Sequence, residues 1–157
     1  MQRNWFVVST LAASILVGGC ASAGSTKADS TATAKAPVKA PVKAVYHLTN
    51  GIDEAQRGMG NIRNHLAADP SAKIVVVTNG NGIEFLLDGA KDRNGNPFDA
   101  TVQDLKSKGV DFRVCNNTLV TRKIDKAKVI PEATIVPSGV AEAATLQARE
   151  GYVYIRP

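Results

Sequence analysis

Short apolar runs alternate with longer amphipathic segments along most of the chain. Five apolar runs have the length of β-strands: residues 44–49, 73–78, 110–115, 134–136 and 152–155. Three segments repeat apolar residues every three or four positions, as amphipathic helices do: residues 53–66, 99–109 and 140–150. Residues 83–87 add a short helix. Five strands that alternate with helices predict an α/β domain with a mostly parallel sheet.

Each of the first four predicted strands ends in a turn rich in glycine, asparagine, serine or threonine. Because the carboxyl ends of parallel strands meet at one edge of a sheet, we expect these turns to surround one pocket. Asp53, Asp99 and Ser138 precede the three longer helices as predicted N-caps. The predicted pocket residues are Asn50, Gly51, Asn79, Gly80, Gly82, Asn117, Thr118, Ser138 and Gly139.

Cys115 is the candidate catalytic residue, because it lies where the third strand meets the next turn. Asn116, Asn117 and Thr118 follow as candidate caps of a new helix, and a helix N-terminus lowers the pKa of a thiol. In one interpretation, the Cys115 sulfur is a reactive thiol open to solvent at the rim of the domain. In the other, Cys115 is a small buried hydrophobic residue, a common role of free cysteine.

The first 19 residues have the pattern of a secretory signal peptide: Arg3, an apolar run over residues 5–17, then small residues. The run is shorter than the roughly 20 residues that span a bilayer. Residues 16–20 resemble the bacterial lipobox, which predicts Cys20 as a lipidated first residue; the alternative is ordinary cleavage after Ala23. With Ala21 in second place, the resemblance implies a periplasmic protein held at the outer membrane by its lipid anchor alone.

Residues 20–43 are rich in alanine, lysine, proline, serine and threonine, which favours a flexible tether. Residues 44–157 then form the folded domain. The formal net charge is +5, but residues 44–157 contain 7 lysines and 7 arginines against 13 acidic residues, a net charge of +1. Without a basic cluster in the domain, a nucleic-acid partner is not expected.

Other site chemistries fit the sequence poorly. His47 and His65 lack metal-ligand spacing, so no metal is expected. Gly80 and Gly82 begin a dinucleotide motif whose third glycine falls at Phe85, so no cofactor is expected. We interpret His47 as a hydrogen-bonded core residue, with a base for Cys115 as the alternative, and His65 as an exposed helix residue. Arg113 is expected in a salt bridge, or as a group that favours the thiolate.

Residues 44–157 resemble the DsrE/DsrF-like family of small α/β proteins of sulfur metabolism. The segments that carry this resemblance are residues 44–51, 76–80, 82–83, 115–119, 136–140 and 151–155. The resemblance implies a flavodoxin-like, three-layer α/β/α fold that assembles into trimers or hexamers. In the sulfur-relay members, a cysteine at the position of Cys115 carries a persulfide between a donor and an acceptor protein.

We therefore expect an exported, membrane-tethered sulfur carrier, similar to a sulfurtransferase, that uses Cys115. One alternative is a non-enzymatic module that binds a small anion or a nucleotide, with Cys115 in the pocket wall. Another is an oligomeric scaffold lipoprotein without pocket chemistry.

Overall fold

The computed structural model describes residues 40–157. This part of the chain contains five strands: β1 (Lys43–Leu48), β2 (Lys73–Thr78), β3 (Asp111–Cys115), β4 (Ala133–Val136) and β5 (Val153–Ile155). Its α-helices are α1 (Ile52–Ala68), α2 (Phe98–Ser107), α3 (Asn116–Thr121) and α4 (Gly139–Glu150). Short 3-10 helices cover Gly80–Leu86 and Lys126–Lys128. None of the helices in residues 40–157 has the length and apolar content needed to cross a bilayer.

The predicted signal peptide and the lipidation site Cys20 lie outside the described residues, as does most of the predicted tether. Lys43, the last residue of that tether, is the first residue of β1 and pairs with Lys73 of β2.

The five strands form one all-parallel sheet in the order β4-β3-β2-β1-β5. The chain steps from β1 to β4 in one direction and then returns across the sheet to β5. Right-handed crossovers therefore place α1, α2 and α3 on one face and α4 on the other. The predicted layered α/β fold is confirmed, with a sheet that is parallel throughout.

Each sheet face has its own apolar core. On the α1 face, Phe85 packs against Phe98 and Phe112, with ring centroids 5.5 and 6.3 Å apart. On the α4 face, a smaller cluster forms between strands and helix: Val45, Val75, Val77, Ala143 and Leu146. Both clusters contain alternate strand residues, because successive side chains of a strand point to opposite faces.

Two of the three predicted N-caps are wrong. No side chain caps α1 or α2; Asp53 pairs instead with Arg93, and Asp99 lies inside α2. The buried carboxylate of Glu54 holds the turn before α1 by accepting hydrogen bonds from the backbone N–H groups of Thr49 and Asn50. The third cap is confirmed, because the Ser138 hydroxyl accepts a hydrogen bond from the Ala141 N–H at 3.4 Å.

Two glycines of α1 differ in their surroundings and make a matched pair. A Cβ on Gly58 would lie 3.1 Å from Leu48 Cδ2, whereas one on Gly60 would have no neighbour within 4 Å. We expect Gly60→Ala to raise the free energy of unfolding by up to about 1 kcal/mol, because alanine has the higher helix propensity. Gly58→Ala should not show this gain in stability, because its methyl group would crowd the Leu48 side chain. Urea denaturation of both variants measures the difference; a loss of stability in Gly60→Ala would contradict the expectation.

Candidate functional site

A crevice lies between the carboxyl ends of β3 and β4. The chain leaves β3 toward the α1 face but leaves β4 toward the α4 face, and neighbouring strands with such opposed connections leave a crevice between them. A cavity of about 360 Å³ occupies this position. Nine residues line it: Asn79, Gly80, Cys115, Asn117, Thr118, Thr121, Arg122, Ser138 and Val140.

Cys115 is the last residue of β3, opposite Val136 of β4. It is the one cysteine of residues 40–157, is free, and is 4% exposed. The expectation of a solvent-open sulfur is therefore wrong. Cys115 belongs to neither apolar core, however, and lies in the wall of the cavity. A buried hydrophobic role alone does not describe this position.

Hydrogen-bond donors surround the Cys115 sulfur. Burial raises the pKa of the thiol, but the backbone N–H groups of Gly139, Thr118 and Asn117 and the Thr118 hydroxyl outweigh this effect and lower the pKa below its ordinary value. Helix N-termini favour a thiolate, and both α3 and α4 begin here. Cys115 itself occupies the N-cap position of α3, which no side chain caps, so the predicted capping by Asn116, Asn117 or Thr118 is wrong.

Gly139, the first residue of α4, makes a close approach to the thiol possible. A Cβ at this position would lie 2.9 Å from the Thr78 carbonyl oxygen and 3.2 Å from Cys115 Cβ. A side chain would therefore push the start of α4 away from β3. Because residue 139 has no side chain, its backbone N–H can face the Cys115 sulfur.

Thr118 links two of the turns around the cavity. Its hydroxyl oxygen accepts a hydrogen bond from the Gly80 N–H at 3.0 Å, which leaves the hydroxyl hydrogen for the Cys115 sulfur. The turn after β2 thus orients a donor on α3.

Replacing Thr118 with valine tests the effect of this hydroxyl on the thiolate. We expect Thr118→Val to raise the pKa of Cys115, because the shape is kept while a donor to the thiolate is lost. The rate of iodoacetamide alkylation against pH, followed on the tryptic peptide 114–122, gives the midpoint. Thr121→Val is the control, since Thr121 lines the same cavity but does not lower the pKa of Cys115. Equal midpoints for both variants and the wild type would contradict the role of Thr118.

The lowered pKa of Cys115 also makes stability depend on pH. A thiolate favoured in the native state contributes stability that is complete above the pKa of the unfolded thiol, about 8.5. This contribution is lost as the pH falls through the lower pKa of the folded state. Thr118→Val should therefore reduce the gain in stability between neutral pH and pH about 9.

Sequence reasoning missed three lining residues, namely Thr121, Arg122 and Val140. The Arg122 guanidinium donates hydrogen bonds to the Gly80 carbonyl at 3.2 Å and to Glu84 at 2.9 Å. Its sequence signal was its position one helical turn after Thr118, which places both side chains on the same face of a helix. Residues 118–130 have no periodicity that predicts more than one or two helical turns, so the sequence alone does not place Arg122 at the cavity.

Asn50, Gly51 and Gly82 do not line the cavity. They lie by the carboxyl end of β1, two strands away from β3. The Asn50 backbone and side chain both donate to Glu54, and a Cβ on Gly82 would lie 2.1 Å from the Leu48 carbonyl oxygen. These residues build the turns after β1 and β2. Of the other predicted pocket residues, Gly139 is not in the cavity lining but packs closely against Cys115, and the rest line the cavity.

The structure also places both histidines. The interpretation of His47 as a hydrogen-bonded residue is confirmed: its ring nitrogens lie 2.8 Å from Asn79 Oδ1 and 3.0 Å from the Tyr154 hydroxyl. Neither nitrogen is therefore free to act as a base for Cys115. His65 is half-buried, with Nδ1 3.0 Å from the Tyr46 hydroxyl, so its predicted exposure is wrong.

The predicted salt bridge of Arg113 is confirmed. Its guanidinium binds Asp111 at 2.8 Å and also Glu142 of α4. Two carboxylates therefore neutralise the charge. Within residues 40–157, no three histidine, cysteine or acidic side chains lie together as metal ligands would.

Comparison with solved structures gives two similar folds. A protein of unknown function from Methanobacterium thermoautotrophicum, MTH1491, matches with 28% sequence identity and a TM-score of 0.64, over 74% of this chain and 99% of that one. The YchN protein of E. coli matches with 12% identity and a TM-score of 0.59, over 73% of this chain and 99% of that one. At this identity, the second match supports the fold alone.

A search of curated proteins found no match. The sequence model of the DsrE/DsrF-like family, in contrast, matches residues 43–157, which include every strand of the sheet and the cavity around Cys115. The chain therefore belongs to the DsrE/DsrF-like family.

Proposed function

We propose that this protein is an exported, membrane-tethered sulfur carrier that holds a sulfur atom as a persulfide on Cys115. The observation that carries the proposal is a cavity-lining thiol whose pKa is lowered by donors from two helix N-termini. Membership of the DsrE/DsrF-like family suggests a protein of the sulfur-relay type. Export and lipidation at Cys20 rest on the signal-peptide and lipobox patterns alone.

The proposed transfer is a thiol exchange without net oxidation. The Cys115 thiolate attacks the outer sulfur of a donor persulfide, R–S–SH. A new S–S bond forms at Cys115, the S–S bond of the donor breaks, and the donor leaves as the thiolate R–S⁻. The proton stays on the transferred sulfur. The reverse reaction with an acceptor thiolate unloads the carrier.

Self-association completes the proposal. Val153 and Tyr154 of the edge strand β5 are 53% and 45% exposed, although large apolar and aromatic side chains favour burial. An edge strand with such residues is suited to contact a second copy of the chain. A homo-oligomer, a trimer or a hexamer as in the family, is therefore proposed. Analytical ultracentrifugation of the full chain tests it, and a monomer at micromolar concentration would contradict it.

Loading with sulfur tests the proposed function. The full chain is incubated with thiosulfate or inorganic polysulfide, and peptide 114–122 is analysed by mass spectrometry. We expect this peptide to gain the mass of one sulfur atom, and Cys115→Ser to gain none. Sulfide alone is the reagent control, because it needs an oxidant to form a persulfide. Wild-type protein that gains no sulfur from either donor would contradict the proposal.

A small-anion binding module is the second candidate. The Arg122 guanidinium in the cavity wall favours it, because arginine binds anions well. In that case Cys115→Ser should keep the affinity for thiosulfate measured by calorimetry, while no sulfur is transferred.

A further inference from the structure

A chain of hydrogen bonds runs from the edge strand β5 to the cavity. The Tyr154 hydroxyl lies 3.0 Å from His47 Nδ1, and His47 Nε2 lies 2.8 Å from Asn79 Oδ1. Asn79 lines the cavity beside Cys115. His47 is 9% exposed, so the imidazole that joins the other two side chains is largely shielded from water.

The Asn79 side-chain oxygen fixes the direction of its hydrogen bond to His47. The Asn79 Oδ1 atom can only accept, so His47 Nε2 must carry the hydrogen. The other ring nitrogen, Nδ1, is paired with the Tyr154 hydroxyl at 3.0 Å. Since Asn79 Oδ1 is already hydrogen-bonded to His47, the Asn79 Nδ2 amide remains available to donate to a ligand. Within residues 40–157, no protein group hydrogen-bonds to the Asn79 Nδ2 nitrogen.

We propose that the Asn79 Nδ2 amide is a fixed hydrogen-bond donor for anionic groups in the cavity, and that His47 and Tyr154 are the residues that position it. The inference rests on the proposed function and adds that the ligand is an anion. The anionic group is the outer sulfur of a deprotonated Cys115 persulfide or the anionic end of a small sulfur donor. A freely rotating asparagine could offer either its oxygen or its nitrogen. An asparagine held by His47 offers the nitrogen.

Arg122 supports the same charge class. Its guanidinium lines the cavity, and the backbone carbonyl of Gly80 and the carboxylate of Glu84 hold it there. Apart from Cys115 itself, the cavity-lining residues include no acidic side chain. An amide donor and a guanidinium that line the same cavity favour an anion over a neutral ligand, although Glu84 offsets part of the guanidinium charge.

The reagent selectivity of Cys115 tests the inference without sulfur transfer. Iodoacetate and iodoacetamide alkylate the same thiol, but only iodoacetate is an anion. The rate constant for iodoacetate divided by that for iodoacetamide therefore reports how strongly the cavity favours an anionic reagent. We expect His47→Leu in the full chain to lower the ratio of the iodoacetate to the iodoacetamide rate constant by up to about tenfold, the effect of losing one hydrogen bond to a charged group completely. Tyr154→Phe should lower this ratio less than His47→Leu does, because it removes only the hydroxyl that orients His47.

The opposite sheet face offers a matched control. Tyr46 and His65 form a tyrosine–histidine hydrogen bond of the same length, 3.0 Å, that does not involve Asn79. Tyr46→Phe should therefore change the free energy of unfolding without changing the ratio. A merely structural role of His47 would make Tyr154→Phe behave like Tyr46→Phe.

A double-mutant cycle completes the test. Asn79→Leu should lower the ratio at least as much as His47→Leu does, and the double variant should lower it no further than Asn79→Leu alone, because His47 acts through Asn79. Unchanged ratios in Tyr154→Phe and His47→Leu, or additive losses in the double variant, would overturn the inference. If His47→Leu does not fold, Tyr154→Phe against Tyr46→Phe decides the question. A cavity that prefers anions while Cys115 takes up no sulfur would contradict the proposed function alone.

Discussion

Replacing Gly139 with alanine is expected to raise the pKa of Cys115 and to slow its alkylation at neutral pH roughly fivefold. The new methyl group would lie 2.9 Å from the Thr78 carbonyl oxygen and 3.2 Å from Cys115 Cβ, so the first turn of α4 must move away. Movement of the turn withdraws the Gly139 N–H from the sulfur. The same crowding should cost about 2 kcal/mol of stability.

Ser138→Ala is the control for this variant. It removes the cap of α4, whose oxygen accepts from the Ala141 N–H at 3.4 Å, and should cost about 1 kcal/mol. It adds no atoms near Cys115 and leaves the Gly139 N–H in place. The midpoint of alkylation should therefore shift in Gly139→Ala and not in Ser138→Ala. Equal midpoints would show that the N–H of Gly139 does not stabilise the thiolate.

Replacing Gly82 with alanine is expected to have the largest effect on stability, a loss of about 4 kcal/mol or more. Its Cβ would lie 2.1 Å from the carbonyl oxygen of Leu48 and 2.4 Å from the carbonyl carbon. Both contacts are to backbone at the carboxyl end of β1, which no side-chain rotation relieves. Since native domains are stable by about 5–15 kcal/mol, the variant should fold marginally.

Chemical denaturation of Gly82→Ala measures this loss. Gly60→Ala is the counterpart, because the same methyl group is added where no atom lies within 4 Å. We expect opposite signs for the two changes in the free energy of unfolding. A change of less than about 1 kcal/mol in Gly82→Ala would contradict the close contact between the turn after β2 and the end of β1.

The sequence was sufficient to predict the five strands, the three longer helices and the fold class. Apolar runs such as residues 73–78 are long enough for a strand and too short for most helices, and their alternation with amphipathic segments leaves few topologies. Capping was harder to predict. Asp53 and Glu54 are both acidic residues in the first turn of a helix, and the packing of the turn against β1 decides that Glu54 holds it.

Part of the site could not be predicted because sequence order does not give strand order. The turns after parallel strands meet at one edge of the sheet. This rule correctly predicted that Cys115, Thr118 and Ser138 lie together. Asn50 belongs to the same edge, yet β2 separates its strand from β3. Likewise, the contact of Tyr154 with His47 exists because β5 returns to the side of β1. Only long-range pairing determines such contacts.

The pH dependence of Cys115 alkylation tests the central claim most directly. Iodoacetamide rates on peptide 114–122 are measured for the full chain when folded and when unfolded in urea. The midpoint reports the pKa of the thiol, while the plateau reports access to it, which 4% exposure should reduce. We expect the folded protein to have the lower midpoint, because hydrogen bonds from two helix N-termini outweigh burial. A folded midpoint at or above the unfolded one would contradict a stabilised thiolate at Cys115.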